Sequence, residues 1–143
     1  MTMSSTSTIN QKARARRTFC VEEANRSLPF VSRVVADIVE LHDQVVILRR
    51  TMERVELGLH GADPRVLEDD YRDAMRRLRD LVRELDLVGV DLQDFERGVV
   101  NFPTLHRRQR AVLSWRLGEP TVGFWHGLDE GTELRRSVDM LVS

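Results

Sequence analysis

The stretch LGEPTVGFWHGLDEG, residues 117–131, holds Glu119, Trp125, His126, Asp129 and Glu130, and Arg135 follows shortly after. An imidazole among carboxylates is the donor set that a divalent transition metal such as zinc, manganese or iron takes. An open position on such an ion would activate water. One reading is therefore a metal-dependent, hydrolase-like enzyme with His126 and Glu130 as ligands or acid/base groups. Spacing argues against a shared ion within one chain. Glu119 in a turn and His126 at the far end of the next strand lie about 15 Å or more apart in a simple hairpin. There is also no HExxH, paired CxxC or second nearby histidine. The plainer reading is a hydrogen-bonded His126, an Arg135 that pairs one of the acids, and a Glu119 that ends a strand or meets an arginine across a dimer. Trp115 and Trp125 fall on consecutive strands, where they can stack across the sheet or floor a pocket beside His126.

Three further groups carry potential chemistry. Arg107, Arg108 and Arg110 in HRRQR, with Arg116 nearby, form a local basic cluster able to grip phosphates or an acidic partner. The whole chain opposes a nucleic-acid role: 22 basic against 23 acidic residues give a net charge of -1, so no global field steers polyanions. Cys20 is the single cysteine, which excludes an internal disulfide and fits a reducing, cytoplasmic setting. It has no resolving partner. His42 lies on an apolar helix stripe, where packing is the commoner role and pH sensing across a dimer axis the alternative.

These residues must be held by elements that the hydropathy pattern defines. Val31, Val34, Ile38, Leu41, Val45, Leu48, Met52, Val55 and Leu59 recur at alternating steps of three and four, a heptad pattern. Cys20 stands at the expected N-cap with Glu23 in the capping-box position, and Pro29 predicts a kink or break. Asp63 and Pro64 open a second helix. Its stripe is Leu67, Tyr71, Ala74, Leu78, Leu81, Leu85 and Val88, and Gly89 ends it. Two such helices joined by a short loop meet as an antiparallel, coiled-coil-like hairpin.

A second stripe on the first helix, Val35, Val39, His42 and Val46, needs a cover of its own. The C-terminal module or another subunit can supply it, and self-association, as a dimer, is the preferred explanation. Beyond Gly89 the period changes to that of strands. GVVNFPTL, AVLSWRL and VGFWH predict about three antiparallel strands, the second with Ala111, Leu113, Trp115 and Leu117 on one apolar face.

The motifs EEANRSLP, RGVVNFP and LSWRLGEPTVGFWHGLDEG, followed by Arg135, resemble the bacterial domain-of-unknown-function family 2203, over roughly residues 18–136. The resemblance implies a small bacterial cytoplasmic protein with helices before a short sheet, and it implies no activity. This chain carries Cys20 where a threonine is usual in that family, Asn101 where an aspartate is usual, Ser114 in place of a cysteine and Thr132 in place of an aromatic. If the family's aspartate and cysteine held a metal, this chain has lost both ligands.

The expected architecture is thus α+β: a disordered tail over 1–17, a helical hairpin over 18–89, and a small β module with a C-terminal tail over 90–143. No apolar run is long enough to span a bilayer, and no secretory signal is recognised at the N-terminus. The expected function is an oligomeric coiled-coil scaffold whose β module binds a ligand or protein partner through Glu119, Trp125, His126, Asp129, Glu130 and Arg135. The metal-dependent enzyme is the alternative, and nucleic acid and membrane are disfavoured.

Overall fold

A computed structural model describes residues 17–142. The expected disordered tail falls, Arg17 apart, outside the described residues. Helix α1 spans Val21–Glu56 and opens on a complete capping box. The Cys20 sulfur accepts the Glu23 N–H at 3.4 Å, and the Glu23 carboxylate accepts the Cys20 N–H at 3.0 Å. Helix α2 spans Pro64–Leu87, capped by Asp63, whose Oδ1 accepts the Arg65 N–H at 2.9 Å. It closes through Gly89 at φ +85°, with Gly89 N–H donating to the Asp86 carbonyl and Val90 N–H to that of Leu85. That pairing is the left-handed stop a glycine permits.

The two helices pack as the expected hairpin. Val31, Val34, Ile38, Leu41 and Val45 are buried from α1, and Leu67, Ala74, Leu78 and Leu85 from α2. Of the kink or break expected at Pro29, the break does not occur: α1 runs on through it. An interior proline removes one helical hydrogen bond and costs about 3 kcal/mol. Burial of Ala24, Leu28 and Val31 on either side of it offsets that loss.

The sheet has five antiparallel strands in sequence order rather than three: β1 (Asp91–Asp94), β2 (Val99–His106), β3 (Gln109–Arg116), β4 (Phe124–Gly127) and β5 (Arg136–Ser137). The two additions are its edges. DLQD and Arg136–Ser137 have no apolar alternation of their own and are strands only because β2 and β4 pair with them. The inner face carries Val100, Phe102, Leu113, Trp115 and Trp125, which join one core with Ala24, Leu28, Val31 and Val35 of α1. The outer face carries Val99, Asn101, Val112, Ser114 and His126. These too are buried, so β3 is covered on both faces from Ala111 to Trp115 rather than on one.

The second stripe of α1 is covered by this chain itself. Val35 is fully buried, and a Cβ added at Gly98 (φ +71°) would lie 2.9 Å from its Cγ1 and 3.1 Å from Val39 Cγ2. The His42 ring stacks on Phe95, centroids 5.7 Å apart. The β1–β2 turn therefore seats on the helix where another subunit was expected, and Val46 beyond it is half-buried. No helix among the described residues is long and apolar enough to cross a membrane.

Candidate functional site

Strand register decides which polar groups meet. On the outer face Asp91 stands opposite Asn101, Asn101 opposite Ser114, and one pair further along Val112 stands opposite His126. The segment after β4 folds back above this row. Asp91, Gln93, Asn101, Val112 and His126 then form the floor of a recess of about 250 Å³, and Leu128, Glu130, Gly131 and Thr132 form its rim. Asn101, in its floor, and Ser114, the register partner of Asn101 on β3, each bury a polar atom without a hydrogen-bond partner, Asn101 Oδ1 and Ser114 Oγ. Ser114 is completely inaccessible and Asn101 only 7% exposed. His126 is fixed by Nδ1, 2.8 Å from the Gly127 carbonyl. A carbonyl only accepts, so Nδ1 carries a proton and its N–H is committed to that contact, leaving Nε2 as the ring nitrogen without a hydrogen-bond partner among the described residues.

The acids flagged by the sequence are held by arginines. Glu130 receives Arg136 in a two-pronged contact at 2.7 and 2.6 Å, and its Oε1 also accepts the Gly127 N–H at 2.7 Å. The Arg136 guanidinium, helped by that backbone donor, holds the Glu130 carboxyl down at about 2. Glu119 receives Arg135 in the same manner at 2.9 and 2.8 Å, with the Arg116 N–H at 2.8 Å. Burial, the largest single influence on Glu119, pushes its carboxyl up. The Arg135 hydrogen bonds and the Arg116 N–H outweigh it and leave the group below its ordinary value.

These residues do not assemble into one centre. Glu119 and Arg135 brace the turn between β3 and β4, while His126 and Glu130 belong to the recess. Asp129 is exposed in the turn beside it. Trp125 follows strand alternation onto the inner face, away from His126. It stands opposite Leu113, not Trp115, and its ring stacks on His106 at 4.2 Å with the Arg136 guanidinium 5.0 Å away. Trp115 instead donates its indole N–H to the Glu119 carbonyl at 3.0 Å. Arg107 and Arg108 form the β2–β3 turn, Arg110 follows on β3, and Arg116 ends that strand about 20 Å away, so the four make no single patch. Among the described residues no three His, Cys, Asp or Glu side chains are grouped to hold a metal ion. With both flagged glutamates committed to guanidinium groups, the donor set does not fit one.

Asn25 carries a structural role that reading the residues in order missed. Its Oδ1 accepts the Val122 N–H at 2.7 Å, and its Nδ2 donates to the Val122 and Val21 carbonyls. The start of α1 is thereby locked to the segment before β4. The polar residues of the recess were also unassembled at that stage. Asn101 and Ser114 each interrupt an apolar run, which was the available signal, but only the register sets them side by side.

A family model described as uncharacterized conserved protein (DUF2203) matches residues 17–138. The chain belongs to this family. No curated protein and no solved structure matches the chain. The DUF2203 segment contains both hairpin helices, the Asn25–Val122 lock and every residue of the recess, so the candidate site lies within the family's domain and not in an appendage to it.

Proposed function

We propose that this DUF2203 protein is a small-molecule binding module in which the helical hairpin is the frame and the outer face of the sheet is the binding surface. One observation carries the reading: Asn101 Oδ1, in the floor of an open recess, and Ser114 Oγ, opposite it on β3, are both buried without partners. Leaving such a group unsatisfied costs roughly 1–3 kcal/mol. A fold that keeps two of them side by side gives up stability that a ligand can restore. The His126 ring, held in place by its Nδ1 contact with the Gly127 carbonyl, adds a directed polar edge to the same surface.

The test is a pair of substitutions read by urea unfolding. Ser114→Ala and Asn101→Leu remove the orphaned atoms, the second with a bulkier side chain of the same branched shape beside an open recess, and each should raise stability by about 1 kcal/mol or more. A loss of stability in both would mean that these atoms serve the fold, and would overturn the reading. A second reading, self-association as a homodimer, is favoured by apolar side chains left uncovered toward the far end of the hairpin: Ile47, Leu57, Leu59 and Val66 are all more than half exposed.

A further inference from the structure

The middle and far part of α1 leave one stripe bare. Ile47 stands at its centre, 60% exposed. Glu40 and Asp43 before it, and Arg50 and Arg54 after it, fall within about 60° of Ile47 around the helix axis. All four are exposed, and none of them makes an ion pair among the described residues. The order of charge is informative: acids lie on the N-terminal side of Ile47 and bases on the C-terminal side. Such a stripe becomes its own complement when turned end for end. Let α1 of a second copy cross antiparallel, with the two-fold axis level with Ile47. Glu40 then meets Arg54 of the second copy, and Asp43 lies within one residue's rise, about 1.5 Å, of the level of Arg50. The symmetry makes each contact twice. Parallel pairing of the same stripe would set Glu40 beside Glu40 and Arg54 beside Arg54, which repels.

Apolar surface falls into the same register. Beside Ile47 a groove of about 430 Å³ runs between the two helices, with Leu41, Leu48 and Ala74 in its wall, and it can receive the Ile47 side chain of the second copy. Ala36, exposed on the same stripe, falls opposite Gly58, so the exposed Leu57 and Leu59 of the hairpin tip come down where the stripe presents only a methyl group. Exposed ion pairs add little affinity each. The apolar contacts therefore hold the two copies together, and the charges select orientation and register.

We infer that two copies of this chain pair antiparallel through α1, centred on Ile47, so that their β modules stand at opposite ends of the assembly. The inference rests on the self-association reading above and adds its register. Three charge-reversal variants test it: Glu40→Arg with Asp43→Arg, Arg50→Glu with Arg54→Glu, and all four substitutions in one chain. Each half reversal sets like charges face to face in its own dimer, whereas the fourfold reversal restores opposite charges at every contact. Sedimentation equilibrium is run on the full-length chain at matched ionic strength, with far-ultraviolet circular dichroism to check that helix is kept. The expected result is a dimer for the parent, dissociation roughly tenfold or more easier for each half reversal, and recovery to the parent's value in the fourfold variant. Half reversals that dimerise as tightly as the parent overturn the register and leave self-association standing. A fourfold variant no tighter than the halves does the same. A parent that stays monomeric overturns both. Should the fourfold variant lose helix, Glu40→Arg alone and Glu40→Arg with Arg54→Glu carry the same loss and recovery.

Discussion

Both ends of the Asn25 carboxamide serve a residue 97 positions away, holding the N–H and the carbonyl of the buried Val122. Asn25→Ala would strand that buried N–H. A loss of about 1–3 kcal/mol in urea unfolding is expected, with a smaller loss in Asn25→Asp, which keeps the acceptor. The arginine-held carboxylates make a different statement. Glu130 titrates at about 2 when folded against an ordinary value of 4.5, and Glu119 is shifted in the same direction. A carboxyl that is more acidic in the folded state stabilises fully above its unfolded value and loses that contribution as pH falls through the folded one. Stability should therefore decline between about pH 4.5 and 2, and Glu130→Gln should flatten the lower part of that decline in a pH series of thermal melts. The same residues mark how far chemistry was legible. Arg135 and an acid could be paired from composition and proximity alone. That Asn101, Ser114 and Asp91 share one row could not, because the row exists only after three strands find their register.

At the scale of elements, the β2–β3 turn departs from the usual economy of hairpins. Arg107 and Arg108 both adopt positive φ, 50° and 67°, in a two-residue turn between His106 and Gln109. This geometry normally selects Asn-Gly, since a side chain there is crowded by its own backbone. Replacing the pair by Arg107→Asn with Arg108→Gly should raise stability by about 1 kcal/mol or more, measured by urea unfolding, and should leave the recess unchanged. The heptads, both N-caps and the glycine stop of α2 were readable because each depends on residues within a few positions of one another. The edge strand DLQD was not, since its pairing with β2 comes from partners rather than from its own pattern. For a related reason, Pro29 does not break α1. Its local penalty is real, but the core around Leu28 and Val31 overrides it.

For the whole molecule, the apolar surface of α1 is divided between neighbours. Its near half is enclosed by α2 and the sheet, whereas Leu48, Met52 and Val55 are only half-buried and Ile47 is 60% exposed. The groove beside them, lined by Leu41, Ile47, Leu48 and Ala74 together with Asp70, Asp73 and Arg77, offers both signs of charge to a two-fold related copy. Light scattering should give a dimer mass for the parent and a monomer mass for Ile47→Glu. A parent that is monomeric at high concentration removes self-association. Val39 is unsuited to that experiment, because it supports Gly98 and the β1–β2 turn. The two-stripe pattern correctly required two covers for α1, yet could not say that the second was the chain's own turn.

The lock between Asn25 and Val122 has a consequence for biosynthesis. The first turn of α1 is among the earliest parts of the domain to leave the ribosome, and the residue that fastens it is among the last. Phe19 likewise waits for Pro103 and Thr104 to engage its backbone. The nascent hairpin must therefore persist with its sheet-facing side bare until nearly the entire domain has been translated, an interval in which chaperone capture or premature pairing with a neighbouring nascent chain competes with completion of the fold.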